Sequence, residues 1–383
     1  MEATNFIWGT AASAVQTDGS SPASDWWEWE QAGRAPASGD GNGHATRFAD
    51  DFTLLREWGF GHHRLSLDWA RLEPEQGKHD QAAVEHYRQV LTAGRDAGLN
   101  LWVCLLHTAL PTWFARTGGF LDPSAERTWA AHVEFVAETF GDLVYGWKPV
   151  NGPTSHAVKG YLTGEFPPGH QSRDELGRAL KAIHKANFDA ALRLRSGGQP
   201  VASVQAVTPL FPDDNDTARQ AAGMLDQLQW ASWLGFARHD HYADAFDYHG
   251  FSYYYATSVD AQGNPGVYPS DHAVNALGYA PWASGIQAVL SRLATELPGS
   301  RFLVSELGYG GQDDAQRAEY LTRAVGLVWD AIRDGVDVAG IFFWTGIDNY
   351  EWTNGFDVPF GLFDTSRAPR PSAYVVRDLI AGK

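Results

Sequence analysis

The chain has 383 residues, 44% of them hydrophobic and 40 of them glycine, enough for a sizeable core in one large domain or two ordinary ones. A formal charge of −17 repels phosphate backbones and anionic lipid, which argues against nucleic acid and membrane surfaces as partners. One cysteine, Cys104, rules out disulfides within the chain and argues against a cysteine-based metal site; within LWVCLLH it reads as core filler.

The opening MEATNFIWG enters a strand-like segment at once, without a basic and then apolar leader, and no run of about 18 apolar residues follows. The expectation is a cytoplasmic protein. From there, apolar or alternating segments recur in the order FIWG, HHRLSL, NLWVCLLH, VYGWKPVN, VASVQAV, DYHGFSYY, RFLVSE and VAGIFFW, with helical segments between them. One predicted helix starts at Asp122-Pro123 and carries Trp129, Val133, Val136 and Phe140 at helical spacing. Another places Leu321, Val325, Val328 and Ile332 on one face and stops at Gly335. Stretches rich in Gly, Asp, Ser and Pro at 18–43, 209–223 and 256–280 read as loops. No linker or low-complexity tract divides the chain, so the predicted fold is α/β, a single-domain (β/α)₈ TIM barrel over residues 1–383.

In such a barrel the C-terminal strand ends build the site. Gln16 follows the first strand, Arg64 lies in the second, and His107, Asn151, Tyr254, Glu306 and Trp344 close the third, fourth, sixth, seventh and eighth. Any one of these could be structural, but together they converge on one rim. Glu306 stands out, because a carboxylate finishing an apolar strand must be paired or used. Arg64 is a partner that would keep it ionised, and a buried structural Glu–Arg bridge is the competing reading. The load of 16 Trp, 14 Tyr and 20 Phe adds flat rings suited to sugar faces, although most rings fill cores. Retaining glycoside hydrolysis needs two carboxyl groups roughly 5–5.5 Å apart, and only one is evident.

FIWGTAASAVQTDG, HHRLSLDWARLEPEQG, LLHTALPTWFARTGGF, VSELG and FFWTGIDNYEWTNGF followed by PFGLFD are long and specific motifs. Through them the chain resembles family 1 of the glycoside hydrolases, the β-glucosidase family, over essentially its whole length. The resemblance implies Glu306 as nucleophile with Arg64 and Tyr254 beside it. It also implies Gln16, His107, Asn151, Trp344, Glu351 and Trp352 as sugar-binding residues, with Glu351 reaching the 4- and 6-hydroxyls. The implied substrate is a neutral β-glycoside, since the family's 6-phosphoglycosidase branch lacks the glutamate at 351. No cofactor and no metal are expected.

The family's strand-four motif is Asn-Glu-Pro, with the Glu as general acid/base. Here WKPVNGPTSHAV places Gly152 between Asn151 and Pro153. A residue before proline is pushed toward extended geometry, which glutamate adopts freely, so the backbone is expected not to require glycine. Thr108, Ala109, Ser252, Leu307 and Gly346 are further departures from the family pattern, and they bear on pocket shape. Three readings stand open: an acid/base-deficient form of an active β-glycosidase, an enzyme for activated or thio-glycosides, or a carbohydrate-binding pseudoenzyme. Glu165 and His156, on the same loop, are candidate replacement donors and otherwise ordinary loop residues. SGDGNGH lacks the terminal acid of a calcium loop, and His62-His63 has no accompanying ligand pattern.

Overall fold

Each apolar segment of the sequence becomes a parallel strand in the computed structural model, which describes residues 6–269, 274, 275 and 277–382. The strands are β1 (Ile7–Ala11), β2 (His62–Ser66), β3 (Asn100–Leu106), β4 (Gly146–Val150), β5 (Gln205–Ala206), β6 (His249–Tyr253), β7 (Phe302–Leu307) and β8 (Val338–Trp344). They are hydrogen-bonded in the order β4-β3-β2-β1-β8-β7-β6-β5. Isolated parallel bridges Trp147–Val201 and Asn151–Val204 join β4 to the β5 segment and close the ring. The result is a (β/α)₈ barrel. Strands covered on both faces explain why the segments read as near-continuous apolar runs.

Helices wrap the outside, among them Gln81–Asp96, Ala125–Phe140, Arg173–Arg195 and Asp314–Arg333. The last buries Leu321, Val325 and Val328 and ends just before Gly335, whose φ of +95° suits glycine. The helix expected at Asp122-Pro123 begins later, at Ala125. Asp122 instead accepts from the Ser124 amide at 2.8 Å and shapes the turn ahead of the helix.

All three predicted loops contain regular structure. Residues 18–43 include the helix Asp25–Gln31, and 209–223 include the strand Leu210–Pro212 and the start of the helix Asp216–Ala237. Within 256–280, Ala256–Val259 and Pro265–Tyr268 pair antiparallel, and with Leu210–Pro212 they form a small three-stranded sheet; 270–273 and 276 lie outside the described residues. These short strands are half-exposed, so they lack the apolar run that marks a barrel strand.

The barrel interior holds Ile7, Trp102, Leu303 and Phe342. Among them lies Lys148, fully buried, its Nζ 3.6 Å from the Phe342 ring centroid and without a hydrogen-bond partner. Burial holds its pKa well below the usual lysine range. Cys104 is buried core, as expected. His63 bonds Thr10 at 2.8 Å and His62 accepts from the Trp102 indole at 3.1 Å, so both are structural.

Candidate active site

At the end of β7 the pairing with both neighbours slips: the register to β6 shifts between Val304 and Glu306, and that to β8 between Val304 and Leu307. Such a bulge re-aims a side chain, and Glu306 lines a cavity of about 210 Å³ at this rim. Its carboxylate is tied at both oxygens. Arg64 Nη2 donates to Oε1, and the Tyr254 hydroxyl donates to Oε2 at 2.6 Å. Arg64 is itself fully buried and donates through Nη1 to the Ala12 carbonyl and to His107 Nδ1, each at 2.9 Å. Charge-assisted bonds on both sides offset the desolvation of this pair. Burial and the charge of Glu306 push the Tyr254 phenol well above its ordinary range, so it remains a donor.

Burial, reinforced by Arg64, holds His107 well below the usual histidine range, so its imidazole is neutral. Because Nδ1 accepts from Arg64, the proton sits on Nε2, 3.2 Å from the side-chain amide of Asn151. Asn151 Nδ2 is the atom that faces Nε2 and its Oδ1 has no partner, so two N–H groups oppose each other; turning the amide over would pair Oδ1 with the Nε2 proton and leave the N–H groups for the cavity.

On the opposite side Gln16 is fully buried and has no surface on the cavity. Its amide donates to the Tyr350 carbonyl at 2.7 Å and to Glu351 at 3.1 Å, and accepts from the Ser13 hydroxyl at 2.7 Å. It positions Glu351, whose carboxyl burial pushes up to about 7; nearby Lys159 works against that shift and Glu306 adds to it. Trp352 packs edge-on against Trp26 at 4.7 Å, and the Trp344 and Trp352 rings each lie 5.8 Å from that of His107.

His107, Asn151, Gly152, Tyr254, Glu306, Trp344, Glu351 and Trp352 thus line one cavity, with Arg64 behind Glu306 and Gln16 behind Glu351. The expected freedom of Gly152 from backbone constraint is not observed. Gly152 has φ +56° and ψ +58°, the left-handed region, and begins the helix Pro153–Val158. The turn from β4 into that helix overrides the pre-proline preference, and a side chain here would carry strain of about 1–2 kcal/mol. There is room for a Cβ, which would lie 3.4 Å from that of Ser155. Thr108 also has a positive φ, +72°, on the neighbouring wall, and Ser252 leaves its hydroxyl without a partner at the cavity.

Glu165 is exposed and does not line the cavity. His156 does, but burial drops its pKa to about 4, so it is uncharged near neutral pH. Sequence reasoning missed Ser155, Lys159, Phe166, Tyr255, Tyr279 and Phe360 on the cavity. The helical spacing of 152, 155, 156 and 159 was a usable signal for two of them. Among the described residues no group of His, Cys, Asp or Glu is arranged to hold a metal ion, and no helix is long and apolar enough to cross a membrane.

A sequence model of glycosyl hydrolase family 1 matches residues 3–222 and 237–383. β-Glucosidase A of Thermotoga maritima is 24% identical, over 93% of this chain and 91% of its own length. The solved β-glycosidase from Pyrococcus horikoshii superposes with a TM-score of 0.88 at 29% identity, covering 98% of this chain and 94% of that one. A β-glucosidase from Thermotoga maritima in complex with deoxynojirimycin gives 0.87 at 22% identity, covering 98% of both chains.

Proposed function

Because the chain belongs to glycosyl hydrolase family 1, we propose that it is a retaining β-glycosidase for neutral β-glycosides that works through a covalent glycosyl-enzyme on Glu306 without an enzymic general acid/base at position 152. The observation that carries this reading is the asymmetry of the cavity's carboxyl groups. Glu306 is held at both oxygens by Arg64 and Tyr254, while Gly152 presents nothing ionisable, and Glu351 is engaged with Gln16. The donors on Glu306 fix both of its oxygens, and it attacks the anomeric carbon as the aglycone departs. The bond to the leaving oxygen breaks without a proton from the enzyme, so the leaving group must be stable as an anion.

The sugar would be held by Asn151, His107 and Glu351 and stacked on Trp344; the Thermotoga maritima relative in complex with deoxynojirimycin supports a small ligand of this kind. β-Glucosides, with β-galactosides and β-fucosides tolerated, are the expected class. General acid/base assistance typically contributes about 10²–10⁴-fold, so nitrophenyl glycosides should be cleaved with a burst and disaccharides scarcely at all. The test is incubation with a fluorosugar bearing a good leaving group, followed by peptide mass mapping. Glycosyl mass on the Glu306 peptide is expected. Mass on a different peptide overturns the assignment, and efficient cleavage of a disaccharide overturns the missing acid. In that second outcome Glu351, a carboxyl with a pKa near 7 beside the site, becomes the donor to test before Glu165 or His156.

A further inference from the structure

The wall that lacks a carboxylate is not merely empty. The helix Pro153–Val158 and the wider turn Lys159–Thr163 that continues it present Gly152, Ser155, His156 and Lys159 to the cavity, a spacing that puts all four on one helical face. None of them is acidic. His156 is 7% exposed and its Nε2 has no hydrogen-bond partner. Lys159 is half-buried with its Nζ 4.3 Å from the Phe166 ring centroid, and no described carboxylate lies within 4 Å of it. Lys159 exerts an attraction on the Glu351 carboxyl, which is already bonded to Gln16. A group entering beside Gly152 therefore meets a hydroxyl, an unpaired imidazole nitrogen and an unpaired ammonium, inside a protein whose net charge is −17. A lysine and a hydroxyl on a face with no carboxylate, beside an imidazole nitrogen that donates in its Nε2–H tautomer, make an anion site against an acidic background.

We infer that this wall binds a carboxylate, held by Lys159 with Ser155 and His156, in the space where a glutamate side chain would otherwise stand. This rests on the reading of Glu306 as nucleophile. The carboxylate could belong to the aglycone, so that the protein selects glycosides of hydroxy acids, or it could be a free carboxylate from solution. In the free case it acts as the base of the second half-reaction. It takes a proton from water as the water oxygen bonds to the anomeric carbon, and the ester bond to Glu306 breaks to regenerate the carboxylate of the protein.

Two arms separate these sources. In the first, the β-glucoside of 2-hydroxybenzoate is compared with that of its methyl ester. A KM lower by about tenfold for the acid is expected, the size of one charge-assisted hydrogen bond. In the second, steady turnover of 2,4-dinitrophenyl β-glucoside is followed with rising acetate, and saturable acceleration is expected if the free anion binds. Lys159→Met should collapse the acid-to-ester ratio or the acetate response, and Lys159→Arg should keep it. If neither arm shows a carboxylate effect while dinitrophenyl fluoroglucoside still labels Glu306, the anion wall is wrong and the nucleophile stands. If Glu306 is not labelled, the underlying reading fails instead. A carboxylate effect unchanged in Lys159→Met also overturns the proposal.

Discussion

The two walls of the cavity are built on opposite principles. On the β7 wall both oxygens of the Glu306 carboxylate have a partner: Arg64 on one, Tyr254 on the other, and Arg64 in turn fixed by Ala12 and His107. On the β4 wall Gly152 has no side chain, His156 Nε2 is unpaired, and Lys159 reaches no carboxylate among the described residues. The Glu306 carboxylate is fully bonded before any ligand arrives, whereas the second wall becomes complete only when a ligand supplies the missing acceptor. Preorganisation of a charged group is worth most where it needs no rearrangement in the transition state. The contrast locates the chemistry this chain carries by itself and the chemistry it leaves to its substrate.

The largest effect should come from breaking the complete wall at its centre. Glu306→Gln removes the nucleophile and should reduce turnover of even dinitrophenyl glycosides to background, with no glycosyl mass on the corresponding peptide. If an appreciable burst persisted, the two walls would not differ in the way described.

Next in size is the repair of the open wall. Gly152→Glu should raise cleavage of alkyl glycosides and disaccharides by up to about 10²–10⁴-fold, measured as kcat/KM. The left-handed backbone at this position costs about 1–2 kcal/mol, so the variant should also melt at a lower temperature. Gly152→Ala should show the same loss in melting temperature without any gain in activity, separating strain from chemistry. An active Gly152→Glu with unchanged stability would mean that the turn relaxes.

A smaller effect tests how far the satisfied wall depends on its individual donors. Tyr254→Phe leaves one oxygen of Glu306 without its 2.6 Å donor, and should lower kcat for formation of the glycosyl-enzyme by about 10–100-fold while preserving the fold.

The smallest concerns Glu351, which sits between the two walls. Burial raises its carboxyl to about 7, so it is neutral below that pH and anionic above it. Sugar hydroxyls donate more strongly to the ionised form. Binding of an uncharged sugar lactam should therefore tighten by roughly three- to fivefold as pH rises through about 7, by calorimetry, and this dependence should vanish in Glu351→Gln. Looser binding at higher pH would instead place the proton of Glu351 in a bond to the sugar.

The complete wall was legible in the sequence and the open one only at Asn151, Gly152 and His156, for a physical reason. A carboxylate ending VSEL and an arginine inside HHRLSL violate their own strand patterns, and a violated pattern is visible. Glu351 and Trp352 came from resemblance to a family rather than from any such violation. Lys159, Ser155 and Phe166 break no local rule, since a lysine, a serine and a phenylalanine in a short helix and loop are ordinary. Only the way the chain turns out of β4 makes them face the cavity. The left-handed conformation of Gly152 was hidden by the same turn, because the local effect of Pro153 points the other way. Eight barrel strands were legible as apolar runs, yet VASVQAV supplies only Gln205–Ala206 to the ladder, and the half-exposed small sheet was read as loop.

That two-residue strand gives the ring one weak joint. β2 and β3 share five registered pairs, whereas β4 meets the β5 segment through two isolated bridges. A hoop under thermal load opens first where its staves are least pinned. The Gly152 amide is fastened to that joint, donating to the Val204 carbonyl at 2.8 Å, while Glu306 lies on β7, which keeps five registered pairs with β6 and three with β8 despite the shifts beside Glu306. Breathing of the barrel is expected to concentrate under the open wall. The side of the cavity at Gly152 is then the side the hoop lets move, and amide exchange should be faster at Gly152 and Ala202 than at Val304 or Leu65.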